Sequence, residues 1–280
     1  MGKMCLDDIV DAVNDLPALP NVVIKVLELT EDPNSTAQDI NQALSQDQGM
    51  MAKVLRLSNS AFYGFPRRIA TITDATIFLG FRTVRGIVMA ASVSDILSQE
   101  VEGYALAPGE LWKHSQAVAM GSRLIARNTK YPNPDVAYTA GLLHDIGKVI
   151  LNTHMKDAYH EVVDKVVQGN VPFYEAEDEV IGFNHAIVGA RIAEKWNLPD
   201  ELVHTIAWHH LPEKDEQNNR LTSIVHLADV SALSMGIGIG IDGMLYPVSK
   251  YALQILNMEA SDIEGTIARM VDLLSDQQSF

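Results

Sequence analysis

Residues 141–151 read GLLHDIGKVIL, with a histidine and an aspartate side by side inside an apolar run. Leu142, Leu143, Ile146, Val149 and Ile150 follow the i, i+1, i+4, i+7, i+8 spacing of a helix stripe that faces a core. His144, Asp145 and Lys148 fall on the remaining arc of that helix and share a face. The same period runs outward from this stretch. Leu6, Ile9, Val10, Val13 and Leu16 form one stripe, and Val22, Val23, Val26, Leu27 and Leu29 another, with LPALP between them. Few segments alternate as strands do, so the pattern predicts an all-α chain.

Turn and cap signals divide the pattern. EDPNST, residues 31–36, marks a loop whose Ser35 or Thr36 can cap a helix over about 36–46, and QGMMAKVLRLSN continues as a further buried helix. The stretch from Ala75 to Leu97 is long and apolar but carries Gly80 and Gly86, which predicts two packed helices or one kinked helix. GYALAPG, residues 103–109, reads as a connection before a helix from Glu110 to about Asn128. It sets the expected boundary, with an N-terminal helical subdomain over 1–105 and a second helical domain over 106–280.

A chain of 280 residues with 47% hydrophobic content can bury a substantial core. MGKMCLDDIVDAVNDL lacks a signal-peptide apolar region, and no stretch approaches the ~18 apolar residues of a membrane span, so a cytoplasmic protein with no membrane contact is expected. Cys5 is the only cysteine, which excludes an intramolecular disulfide and a cysteine metal cluster. A net charge of −15 repels nucleic acid, and none is expected as a partner. One local exception joins Lys53, Arg56, Arg67, Arg68, Arg82 and Arg85 against the single acid Asp74. The plainer reading of that run is a set of solvated helix faces.

The His144–Asp145 pair has company. Glu110 and His114, in GELWKHS, share a helix face, and His185 opens HAIVGARIAEKW. His209 and His210 end ELVHTIAWHH, and Asp229 lies in LTSIVHLADVSAL. All are imidazole or carboxylate donors on helices stiff enough to hold them at fixed distances. His154, His160 and His204 match no such position. His226 stands three residues before Asp229, near the same face. GIGIDG at 238–243 matches GxGxxG in letters only, because a helical pattern precedes it where a dinucleotide site needs a strand. Phe62 and Tyr63, in SNSAFYG, read as core aromatics rather than a stacking platform.

HDIGK, with a histidine about thirty residues upstream, a separate histidine, a histidine pair and a final aspartate downstream, resembles the HD superfamily of metal-dependent phosphohydrolases. LPALP, EDPNS, DQGMMAKVLRLSNSAFYG, ITDATIFLGFRTVRG, LWKHS, GLLHDIGK, FNHAIVGARIAEKWNLP and IAWHHLP together are similar to its HDOD branch, over about residues 16–212. The resemblance implies a multi-helix bundle of HD-domain type. It places metal ligands on His114, His144, Asp145, His185, His209, His210 and Asp229, and Glu110 matches a further ligand of the HD-GYP branch. That branch's GYP signature is absent, since LPEKDEQNN follows the histidine pair.

Such donors suit a divalent transition metal, iron, manganese, zinc or nickel, and the two oxygens of Asp145 could bridge a two-metal site. Lys148, one turn beyond His144, either neutralises a phosphate oxygen beside Asp145 as a catalytic group or is a surface lysine. Two functions are implied. One is a bacterial-type signal-transduction protein that keeps its metal and works through a separate protein partner. The other is an active phosphohydrolase on a nucleotide or other small phosphoester.

Overall fold

Helices carry the regular structure of this chain, and among the described residues the sole strand-like pairing is one antiparallel bridge between Val101 and Leu106. The computed structural model describes residues 18–60, 63, 67–169, 171–240 and 247–277. Cys5, the stripe from Leu6 to Leu16, Phe62, the side chain of His154 and the second half of GIGIDG lie outside them. The expected all-α class is the observed one. No described helix is long and apolar enough to cross a membrane.

Contacts divide the chain into two compact units. The first spans Ala18–Asp95, joined by the end of the chain from Arg269. It contains α1 (Asn21–Glu31), α2 (Ala37–Leu44), α3 (Gln48–Ser58), α4 (Ile72–Leu79) and most of α5 (Phe81–Leu97). Thr36 caps α2 through a reciprocal capping box with Asp39, so the cap is Thr36 rather than Ser35. Asp47 and Thr71 cap α3 and α4. α4 and α5 are separate helices parted at Gly80, whose φ of 84° is the left-handed conformation that glycine tolerates. Val23, Val26, Ile40, Leu44, Val54 and Ile72 fill the core of this unit.

The basic run looks different once folded. Lys53 pairs with Asp95 at 2.6 Å, and Arg85 pairs with Glu31. Both acids lie outside residues 53–85, so the local excess of positive charge is smaller than that stretch of sequence implies.

The second unit, Ile96–Ala268, carries the candidate site. Its elements are a 3-10 turn (Glu102–Tyr104), α6 (Glu110–Asn128), α7 (Pro134–Leu143), α8 (Gly147–Gly169), α9 (Phe173–Val180), α10 (His185–Lys195), α11 (Asp200–Trp208), α12 (Asn219–Ser234), α13 (Lys250–Leu256) and the start of α14 (Ala260–Gln277). α6 packs on α7 and α12 through small residues. A Cβ on Gly141 would lie 2.9 Å from the Val118 carbonyl oxygen, so only glycine permits that approach.

One expectation is corrected. His144 and Asp145 do not lie along a continuous helix; α7 ends at Leu143, and residues 144–146 form a turn before α8 starts at Gly147. The N–H groups of Ile146 and Lys148 donate three residues back, to Leu143 and Asp145, which tightens the chain there. Leu142, Leu143 and Ile146 are buried as the stripe requires, but Val149 and Ile150 are half-buried. The polar trio is buried too. The glycine of HDIGK has a packing reason, because a Cβ on Gly147 would sit 1.9 Å from the His185 carbonyl oxygen and 2.6 Å from Gly189 N. α8 therefore starts against the backbone of α10.

A pair of substitutions tests this close approach. Gly147→Ala should destabilise the protein by about 3 kcal/mol, because backbone must move to admit the methyl group. Gly265→Ala, on α14 with nothing within 4 Å of the added carbon, should stabilise by about 1 kcal/mol. Chemical denaturation of both variants reads the difference.

Candidate metal centre

Six side chains from five places along the chain meet in the second unit. His114 comes from the second turn of α6, His144 and Asp145 from the turn after α7, His185 from the first residue of α10, His209 from the end of α11 and Asp229 from α12. Each is at most 3% exposed. Donor atoms cluster as His114, His144 and Asp229; as His144, Asp145 and His209; and as His185, His209 and His210, each group within 4.8 Å of itself.

Asp145 lies between the groups. Its Oδ1 is 3.3 Å from His185 Nε2 and 3.8 Å from His209 Nε2. Its Oδ2 is 3.3 Å from His144 Nε2, 3.5 Å from His114 Nε2 and 2.6 Å from Lys148 Nζ. Asp229 Oδ1 stands 3.1 Å from His114 Nε2 and 3.7 Å from His144 Nε2. The two oxygens of Asp145 thus address two sets of histidines.

The ring nitrogens are set by what lies behind them. His114 Nδ1 donates to the Ile237 carbonyl at 3.0 Å, His144 Nδ1 to Gly141 O at 2.8 Å and His209 Nδ1 to Ile206 O at 2.7 Å. A carbonyl only accepts, so each Nδ1 carries a proton and each Nε2 is aimed into the cluster. His185 has the same arrangement, with Nδ1 2.6 Å from the buried carboxylate of Glu177. Nε2 of every histidine in this set therefore faces inward, as metal ligation by that atom requires.

Electrostatics reinforce the pattern. Burial works against charge on His144, but Asp145 and Asp229 outweigh it and raise its pKa to about 10. Burial likewise disfavours charge on both aspartates, yet His144 with Lys148 holds Asp145, and His114 with His144 holds Asp229, well below the usual carboxylate range. Burial, then the charge of His144, pushes His209 down to about 3, and burial lowers His210 as well. His209 and His210 are held neutral with a lone pair available.

The fit to a metal rests on atoms that nothing in the protein satisfies. His144 Nε2, Asp145 Oδ1 and His209 Nε2 are buried and have no hydrogen-bond partner. Stranding such atoms costs about 1–3 kcal/mol each. A divalent cation among two carboxylates and several imidazoles removes that cost, so the residues present fit one.

The remaining positions sort themselves. His210 is half-buried, 2.8 Å from His185 Nε2, and stacks on Tyr174 with ring centroids 4.8 Å apart. Glu110 does not enter the clusters; its carboxylate accepts from Ala107 N–H at 3.0 Å and closes the turn before α6. Lys148 is 5% exposed, which removes the surface reading. His226 donates from Nδ1 to His209 O and accepts Ser249 N–H on Nε2, so it supports the backbone of His209. His160 is exposed, and His204 lies 3.8 Å from Asp215, away from the centre's donor groups.

Two supports escaped the sequence. One is Glu177, which takes the i+4 place after Phe173 and the i+1 place after Ala176 on the apolar stripe of α9, an acid where a core residue belongs. That misplacement was its only signal. The other is the Ile237 carbonyl, presented by a glycine loop. A Cβ on Gly238, at φ 61°, would meet His114 Cβ at 2.6 Å. The first half of GIGIDG is thus a close cover over His114.

The HDOD domain family matches residues 16–212, and the chain belongs to that family. An HDOD domain protein of unknown function from Geobacter sulfurreducens superposes with a TM-score of 0.73 at 30% identity, covering 95% of this chain and 87% of that one. A Shewanella amazonensis protein provisionally named a phosphohydrolase gives 0.67 at 25% identity, covering 95% and 97%. An uncharacterized protein of Treponema pallidum is 26% identical over 80% of this chain, which spans 43% of that protein's length.

Removing the ammonium beside Asp145 should expose the charge balance of the cluster. Lys148→Met is expected to destabilise the metal-free protein by about 3 kcal/mol, since it leaves a buried carboxylate short of a partner. Added Mn(II) or Zn(II) should recover part of that loss in a denaturant titration.

Proposed function

We propose that this chain is a bacterial-type signal-transduction HDOD protein whose second unit binds a divalent transition metal, iron, manganese, zinc or nickel, which His114, His144, Asp145, His185, His209 and Asp229 would hold. The observation that carries the metal reading is the trio of buried, unsatisfied atoms on His144, Asp145 and His209. Burial of six donor side chains supports a centre enclosed by protein. For the partner, support comes from α4, where Ile77 and Phe78 stand side by side at 64% and 50% exposure. A protein partner in signalling would meet such a surface.

A second reading, an active phosphohydrolase, is favoured by Lys148. Its Nζ lies 2.6 Å from Asp145 Oδ2, where an ammonium would face a phosphate oxygen drawn to the same centre. A divalent cation bound there polarises a phosphoryl group and activates water. The chain's own groups would do the rest. His209 and His210, held neutral, offer lone pairs, and Lys148 offsets negative charge. The Shewanella amazonensis likeness supports this reading by its name.

Elemental analysis of protein purified without added metal, followed by a screen of nucleotide and simple phosphate esters, tests both. The expected result is a bound transition metal in the wild type and its loss in Asp145→Ala, with no ester turned over. Turnover abolished by that substitution would replace the regulator with the enzyme. Absence of metal after incubation with all four candidate ions would reject both.

A further inference from the structure

Three of the four inward-facing histidines are backed by neutral main-chain carbonyls, and one is not. Behind His185 stands Glu177, fully buried on α9. Its Oε2 accepts from His185 Nδ1 at 2.6 Å and from His185 N–H at 3.2 Å. Its Oε1 accepts from the hydroxyl of Tyr104, itself fully buried. Tyr104 is held in turn: its ring lies 5.6 Å from that of Phe173, meets His185 edge-on at 6.2 Å and has Lys148 Nζ 5.6 Å from its centroid. A buried carboxylate with both oxygens occupied cannot turn away without leaving several polar groups stranded.

Resting on the metal-site reading above, we infer that Glu177, clamped by Tyr104, is a positioning residue: it fixes His185 as the Nδ1-protonated ring so that Nε2 meets the metal. The carboxylate dictates the tautomer, since it can only accept, and the clamp fixes the ring plane. Its negative charge also favours a cation on the far side of the imidazole. Tyr104 also joins this device to Lys148, whose Nζ lies 2.6 Å from Asp145 Oδ2, while His185 Nε2 stands 3.3 Å from the unsatisfied Asp145 Oδ1.

Two variants of the full chain test this. Glu177→Gln keeps the shape and removes the charge; Tyr104→Phe keeps the charge and releases the clamp. Co(II) affinity, read by competition with a chromogenic chelator, should fall about 10- to 100-fold in Glu177→Gln, the usual range for loss of a group behind a metal-binding histidine. A smaller fall is expected in Tyr104→Phe. In metal-free protein, long-range proton–nitrogen NMR should show His185 as one Nδ1-protonated tautomer in the wild type and as a mixture in Glu177→Gln. His226, fixed by Ser249 and His209, should be unchanged and serves as the internal reference. Wild-type Co(II) affinity together with an unchanged His185 signal in both variants would overturn the inference. A wild type that binds no Co(II) would sink the metal reading instead, and the NMR measurement would still decide whether Glu177 sets the tautomer.

Discussion

The second unit is built around two carboxylates that have left water. Asp145 and Asp229 are 1% and 3% exposed, a placement that costs several kcal/mol per ion unless positive charge and hydrogen bonds replace the lost solvent. Lys148 supplies one positive charge, and His144, with its pKa raised to about 10, supplies another when no metal is bound. Hydrogen bonding around them is nevertheless incomplete, because Asp145 Oδ1 and the Nε2 atoms of His144 and His209 stay unsatisfied. A core that leaves a carboxylate oxygen and imidazole nitrogens pointing inward without partners is arranged for a cation.

That constraint explains the local breaks in helix geometry. A straight helix through residues 141–151 would hold His144 and Asp145 at a fixed angle of about 100°. The turn at 144–146 instead brings both into one pocket, and Gly147 lets the next helix begin against α10 without a Cβ in the way. Gly238 does the same on the other side, carrying the chain close over His114 so that Ile237 can present its carbonyl. Local irregularity is found where the ligands are.

Much of this was legible in the residues, for identifiable reasons. Helical period located α6 and the α4–α5 pair because their buried stripes are long and their breaks are glycines. The donor positions were legible as types in a recognisable order, and all but Glu110 lie in the buried cluster or at its edge. Glu110 matched by spacing alone, and spacing could not reveal that the Ala107 amide would claim its carboxylate. The turn after Leu143 was hidden because Leu142, Leu143 and Ile146 satisfy a helix and a turn equally well. The pairing of Lys53 with Asp95 and of Arg85 with Glu31 was hidden too, since a window count cannot include acids that arrive from elsewhere in the chain.

Helix ends give a last reason for the asymmetry among the histidines. His144 and His209 sit at the C-terminal ends of α7 and α11, where exposed carbonyls and the negative end of the macrodipole favour a cation by about 0.3–1 kcal/mol. Their Nδ1 atoms bond to carbonyls of their own last turns, Gly141 and Ile206, so no outside group is needed. His185 opens α10, where the macrodipole has the opposite sign and works against a cation. At that helix start no preceding turn offers a carbonyl to the ring. A neutral acceptor would fix the tautomer but leave the unfavourable field in place, whereas a carboxylate answers both. Glu177 occupies that position, and no other imidazole of the set has a charged partner on Nδ1.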